Sequence, residues 1–274
     1  MRRLLAALLL LSAPMLAVPS LAADPPPRIT QAGKLVIATF PNYPPLTFKD
    51  PATNARMGFD IELGEAIGRL LGVQVEWTEM AFVQMIPGLQ TGRADLAMDG
   101  IGDLPARREV VDMVDYLRTG ARFFVAAGSD VRAPADLCGR KVGASRSTSW
   151  PADIAEWSAR ECAAAGKPPI VVVGTEGSID TRTQLRSGRL DGGVQGDETM
   201  AWFQAAEPGA YVPIGGRFTT VLVGIPVAKA EPALRDAVRS AVAALMADGT
   251  YAKLLAKWQL EPNAIPAVTV NGAP

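Results

Sequence analysis

The sequence predicts an α/β protein built as two similar lobes, and three observations carry that prediction. A phrase is written twice. LQTGRADLAMDG from Leu89 and LRSGRLDGGVQG from Leu185 both read Leu-x-[Thr/Ser]-Gly-Arg-x-Asp-x-x-x-x-Gly, at a constant offset of 96 residues (188 − 92). Strand and helix patterns alternate on both sides of each copy, the order expected of parallel strands with helices on the sheet faces. The chain has 274 residues, too many for one typical domain and enough for two.

The first 23 residues read as a leader rather than as fold. MRR is a basic start, LLAALLLLSAPMLAV is apolar, and SLAA ends in small residues at A-x-A-like spacing. That is the pattern of a secretory signal peptide, cut after Ala22 or Ala23. Pro14 and Pro19 leave the apolar run short for a membrane span. The mature chain is then expected to be soluble and exported. Loss of Arg2 and Arg3 takes its formal charge from −1 to −3.

After the Pro-rich DPPPRIT, KLVIATF reads as a buried strand and NYPPLTF as a turn. GFDIELGEAIGRLLG is an amphipathic helix, with Leu63, Ala66, Ile67 and Leu70 on one face and Gly72 as its stop. VQVEWTE alternates as a strand. FVQMIPGLQTG is a helical turn closed by Gly92, and ADLAMDG is a strand. LPARREV is a short helix with Asp103 as its cap and Pro105 in its first turn. The pattern restarts after RFFVAAGSD. KVGASRS, IVVVG and LDGGVQG are strands; TSWPADIAEWSARECAAAG, DTRTQLRSG and DETMAWFQAA are helices. TTVLVGIPVAK returns as strand. PALRDAVRSAVAALMADGTYAKLLAKW is a helix pair broken at Asp248 and Gly249, whose apolar stripes need the first lobe to cover. Each glycine after Thr91 or Ser187 falls where a helix ends in left-handed geometry. Arg93, Asp95, Arg189 and Asp191 read as structural.

Composition narrows the function. A formal charge of −1 leaves no basic excess for nucleic acid. The chain has no histidine, which excludes Ser-His-Asp and Cys-His nucleophiles, histidine metal sites and histidine proton shuttles. Its two cysteines, Cys138 and Cys162, are expected to pair if the chain is exported to an oxidising compartment. Two thiols alone make a poor metal site, so no metal or cofactor is expected.

Five segments in register carry a family resemblance. They are GFDIELGEAIGRLLG, IPGLQTGRADLAMDGIGDLPARREVVDMVDY, LCGRKVGASRSTS, LRSGRLDGGVQGD and DGTYAKLLAKW. Over about residues 33–260 the chain resembles the family 3 periplasmic solute-binding proteins of ABC importers, which take polar amino acids, opines and related small amines and acids. The resemblance implies the type II two-lobed fold, each lobe a mostly parallel sheet flanked by helices. Lobe one would comprise residues 28–121 and 218–262, lobe two residues 126–212, and residues 263–274 a tail. Crossing strands at 123–127 and 218–224 would be the hinge. It also implies a periplasmic, monomeric protein that closes on its ligand and meets a transporter permease.

Residues carry over one by one. Arg107 matches the arginine that clamps the ligand carboxylate; its planar fork can hold both oxygens. Arg108 lies about 100° away on a helix, so one of the two faces the cleft. Asp197 matches the acid that takes the ligand ammonium, although it also suits an N-cap. Ser147 and Thr148, where SRSTSW begins a helix, offer hydroxyls and free amides to an anion. Tyr43 matches an aromatic wall, and Gly100 a strand-end carbonyl facing the ammonium. Three positions depart from the family pattern. Phe40 stands where an acid is usual, Gly102 where a hydroxyl is usual, and Leu104 where threonine is usual. These departures point to a ligand with a carboxylate and a remainder bulkier or less polar than glutamine, held in part by cation–π attraction. Two rival functions remain. One is a cyclohexadienyl dehydratase on the same fold, using Glu79, Asp99 or Asp103 as its acid. The other is a sensory binding protein without a transporter.

Overall fold

The computed structural model describes residues 24–273. The predicted leader and Pro274 lie outside the described residues. Two sheets divide the chain between two lobes. From edge to edge the first runs Thr269–Val270, Val111–Thr119, Val221–Ala228, Leu96–Ala97, Lys34–Thr39, Gln74–Glu79. The second runs Val171–Thr175, Lys141–Ser145, Gly192–Gly196, Ala121–Ala126, Tyr211–Ile214. A small third sheet of Asn42–Tyr43, Thr47–Lys49 and Arg56–Met57 packs on helix Phe59–Leu70 of lobe one.

Both main sheets are mixed rather than mostly parallel. Lys34–Thr39 runs parallel to its two neighbours, and Lys141–Ser145 does the same in lobe two. The other pairs are antiparallel. The crossing between lobes explains this. Val111–Thr119 leads out of lobe one and Val221–Ala228 leads back in beside it, so the two must oppose. Ala121–Ala126 enters lobe two from the same crossing and opposes Gly192–Gly196.

The crossing itself is shorter than expected. Val111–Thr119 ends in the first sheet, Gly120 turns, and Ala121–Ala126 already belongs to the second. Phe123 and Phe124 are buried inside lobe two, and Val221–Gly224 lies inside the first sheet. The chain changes lobes at Gly120 and again between Ile214 and Val221, rather than along strands at 123–127 and 218–224. An added Cβ at Gly120 would meet the Thr219 carbonyl oxygen at 2.1 Å, so the two crossings can approach this closely at that point only with glycine there.

The predicted stripe Leu234, Ala237, Val238, Ala241, Val242 and Leu245 on helix Pro232–Ala247 is buried against the first sheet. Helix Thr250–Trp258 buries Tyr251, Leu255 and Trp258 beside it. The residues expected to form a tail complete lobe one instead. Asn263 is buried and donates to the Arg118 carbonyl at 2.9 Å, and Thr269–Val270 pairs with Val111–Thr119. Asp112 and Asp115 made that long strand hard to read. In the fold Asp112 pairs with Arg235 and Asn271, while Asp115 accepts from Thr269 and Gly272. The Cys138–Cys162 disulfide forms and lies wholly within lobe two. No helix among the described residues is long and apolar enough to cross a membrane, and none of their side chains group as a metal site.

Candidate functional site

A cavity of about 220 Å3 lies between the lobes, at the ends of the strands that precede the helices. A second chamber of about 180 Å3 adjoins it behind Phe82 and Arg107, lined by Met85, Ile86 and Ile101. Phe40, Tyr43, Gly100, Gly102 and Arg107 line the main cavity from lobe one; Ser147 and Thr148 line it from lobe two. Leu104 lines it as well.

Helix Pro105–Arg108 begins at Leu104, not at Asp103. Asp103 does not cap because its two carboxylate oxygens take the Arg108 guanidinium at 2.6 and 2.7 Å. That bidentate pair removes Arg108 from the cleft and leaves Arg107 facing it. Arg107 Nη1 donates to the Gly102 carbonyl at 2.6 Å, and the guanidinium stands 5.5 Å from the Phe82 ring centre. Among the described residues no carboxylate pairs with Arg107. Burial draws its pKa below the ordinary arginine value. A half-buried cation without an anionic partner gains more from an arriving anion than a fully solvated one would.

Asp197 does not line the cavity. Strand Gly192–Gly196 runs straight into the turn Asp197–Thr199, which directs Asp197 to the crossing between lobes. Its carboxylate pairs with Arg217 at 2.7 Å and accepts the Gly120 amide at 3.0 Å. Glu198, one residue on, lines the cleft instead. Its carboxylate accepts the Tyr43 hydroxyl at 2.5 Å and the Thr119 hydroxyl. Two adjacent acids after the second phrase were visible in the sequence, but only the turn decides which faces inward. Tyr43 therefore does more than wall the cavity: it links lobe one to lobe two. The contact continues as Tyr43 and Trp150 rings 6.4 Å apart and Phe48 and Trp202 rings 4.7 Å apart.

Asp99 lines the cleft from lobe one, 3 % exposed. Its Oδ1 accepts the Phe40 amide at 3.0 Å and the Thr39 hydroxyl at 3.3 Å. Burial holds its carboxyl well above the usual range and raises that of Glu198 too. Below them, Asp60 accepts from Tyr116 and from the Gly100 amide, and burial pushes it up to about 7. Phe40 thus carries no acid itself, but its backbone holds one beside it. An ammonium in the cleft therefore keeps an acid on lobe one, Asp99, although Phe40 stands where an acid is usual.

The remaining candidates also have local duties. Thr148 donates its hydroxyl to the Ser145 carbonyl at 2.8 Å, just before helix Trp150–Ala164. Ser147 lines both chambers. Of the acids weighed for catalysis, Glu79 is tied to Lys49 and Arg56, and Asp103 to Arg108. Neither lines the cleft; Asp99 does.

Comparison with known proteins places this geometry. The profile of the bacterial extracellular solute-binding proteins, family 3, matches residues 35–261. The chain belongs to that family. An L-arginine-binding protein of Pseudomonas aeruginosa is 30 % identical, over 89 % of this chain and 92 % of the relative. An arginine-binding protein of Corynebacterium glutamicum is 28 % identical, over 94 % of this chain and 84 % of the relative. Among solved structures, an ancestral amino acid-binding protein described as a precursor of cyclohexadienyl dehydratase matches with a TM-score of 0.73 and 29 % identity, over 84 % of this chain and 97 % of that one. This member of the family is a two-lobed, ligand-binding α/β protein, and both relatives named here are binding proteins.

Proposed function

We propose that the protein captures a small α-amino acid in the periplasm, without transforming it, and presents it to the permease of an ABC importer. One observation carries the reading: Arg107 is a half-buried guanidinium lining the cleft, with no carboxylate paired to it among the described residues. An amino acid supplies that carboxylate. Each charge-assisted hydrogen bond contributes about 1.5–3 kcal/mol. The amides of Thr148, Trp150 and Ala152 at the start of helix Trp150–Ala164 are already engaged, so Ser147 is left to meet the same group from lobe two. The ammonium then faces Asp99 from lobe one and Glu198 from lobe two.

Contacts to both lobes form only when the lobes approach, so ligand favours the closed arrangement. The chain crosses between lobes twice, at Gly120 and at residues 215–220, which supports motion about that line. The names of the relatives make arginine the first ligand to test. Calorimetry with the mature chain against a panel of amino acids, opines and betaines reads the proposal. Saturable binding of at least one α-amino acid, abolished in Arg107→Ala, is expected. A panel in which no amino acid binds overturns it.

One observation favours a second reading. Two cleft carboxyls, Asp99 and Glu198, are held toward their protonated forms by burial. A protonated acid in a cleft is what a dehydratase needs to expel a hydroxyl. Incubation with prephenate or arogenate followed by an absorbance scan distinguishes the two. Turnover would replace capture with catalysis.

A further inference from the structure

Six buried side-chain polar atoms among the described residues have no hydrogen-bond partner, and three of them stand at one place in the cleft. They are Nε2 and Oε1 of Gln195 and Oγ of Ser178. Both residues line the cavity, and they are 0 % and 2 % exposed. Strand register brings them together. Gly193 stands beside Gly143, which sets Gln195 level with Ser145, and Ser145 stands beside Thr175. An added Cβ at Gly193 or Gly143 would meet the Thr181 side chain at 2.9 or 3.2 Å, so that face of the sheet looks onto helix Ser178–Arg186. Gln195 and Ser145 lie two residues further on and share the face. Ser178 is the first residue of the helix.

The charged groups nearby are already engaged. Glu176 on the cavity wall pairs with Arg146 at 2.9 Å, and Glu198 holds the hydroxyls of Tyr43 and Thr119. A guanidinium has donors only, so it would satisfy Oε1 and leave Nε2 unpaired. A carboxylate would do the reverse and would face Glu176 and Glu198. A carboxamide offers a carbonyl and an NH2 group together, as does a ureido group, and either complements the Gln195 amide with Ser178 as a third partner.

We propose that Gln195 and Ser178 form a subsite for the ligand side chain, reading a terminal carboxamide or ureido group. The inference rests on the amino-acid reading of Arg107, adds the identity of the other end of the ligand, and replaces the expectation of a remainder less polar than glutamine, because the unpaired Gln195 and Ser178 atoms favour a polar end group.

Calorimetry on the mature protein with glutamine, citrulline, arginine and norleucine tests it. Glutamine or citrulline is expected to bind about tenfold or more tighter than norleucine, because a site built to hydrogen-bond rejects an analogue that cannot. Gln195→Met, which keeps the length and removes both polar atoms, is expected to collapse that ratio toward one. Ser178→Ala is a milder change that should lower the ratio in the same direction, and it keeps the test open if Gln195→Met fails to fold. Arginine binding tighter than both amides overturns the subsite. So does a ratio unchanged in both variants, which would mean buried water satisfies Gln195. Failure of the capture reading looks different: no α-amino acid binds at all.

Discussion

After helix Met85–Gln90 the chain turns through Gly92 at φ 70°, and the Asp95 carboxylate accepts the Val36 amide at 2.8 Å. After helix Ser178–Arg186 it turns through Gly188 at φ 71°, and Asp191 accepts the Lys141 amide at 2.9 Å. The Asp95 and Asp191 amides in turn donate to the carbonyls of Val36 and Lys141. Both copies of the repeated phrase therefore close a helix and clip the start of a strand onto its neighbour. Beyond them the lobes part company. Lobe one goes on to an unpaired arginine and a buried aspartate, while lobe two goes on to a glutamate, an amide and hydroxyls. A shared scaffold delivers two different chemistries to one cleft, and each end of an amphoteric ligand meets a different lobe.

The largest test of that contrast is Arg107 against Arg108. Arg107→Ala removes the one guanidinium that lines the cavity among the described residues and should weaken ligand binding by about 100-fold or more, the equivalent of two charge-assisted hydrogen bonds. Arg108→Ala breaks the pair with Asp103 but leaves the cleft, so affinity should stay within about threefold while the melting temperature falls. Calorimetry and thermal melts on the two variants separate the roles. Equal losses of affinity would erase the distinction between the neighbours.

How much of this was legible depended on the range of the interactions that decide it. The amphipathic helices, the break at Gly249 and the alternating strands are local patterns, and the fold keeps them. Strand Val111–Thr119 was missed because Asp112 and Asp115 find their partners more than 100 residues away. The edge strand Thr269–Val270 is two residues long and has no periodicity to read. The choice of Glu198 over Asp197 hangs on one turn of backbone, and the placing of Asp99 on a hydrogen bond from Phe40. Helix geometry says only that one of two adjacent arginines faces the cleft, and the family resemblance is what singled out Arg107.

The lobes also differ in how they are held. Lobe two carries the Cys138–Cys162 bridge, whereas lobe one closes with the C-terminal strand. Replacing both cysteines with serine should destabilise lobe two by about 3 kcal/mol, from the entropy of the freed loop. Denaturant unfolding followed separately by Trp157, in lobe two, and Trp77, in lobe one, would show lobe two melting first. Coincident midpoints with no shift from the unmodified chain would show that the bridge does not set the stability of lobe two.

Glu198 and Asp197 make a third contrast, within two residues of one turn. Glu198→Gln should lower affinity for an α-amino acid about tenfold by removing a charged acceptor. Asp197→Asn disturbs the pair with Arg217 and the contacts to the Gly120 amide, Thr119 and Asn263, all outside the cavity except Thr119, so affinity should change by less than about threefold. The pH dependence has a definite sign. Burial raises the Glu198 and Asp99 carboxyls, and an ammonium favours their ionised forms. Binding should therefore release protons, and affinity should rise with pH until both carboxyls are ionised. Calorimetry in buffers of different ionisation enthalpy reads the release directly, and Glu198→Gln should reduce it.

The smallest effect tests the repeat itself. Asp95→Ala and Asp191→Ala each leave one strand amide, of Val36 and of Lys141, without its side-chain acceptor, a loss of about 1 kcal/mol. Arg28 adds an ion pair to Asp95 at 2.5 Å, but its side chain is 43 % exposed, so solvent leaves that contact worth about 0–1 kcal/mol. Asp95→Ala should then be equal to Asp191→Ala or slightly more costly. Arg28→Ala in the Asp95→Ala background should close the gap. Neither alanine variant should shift ligand preference, because both carboxylates act on backbone at the far ends of strands whose other ends face the cleft. A change in preference from either would mean that the phrase helps to shape the site as well as the scaffold.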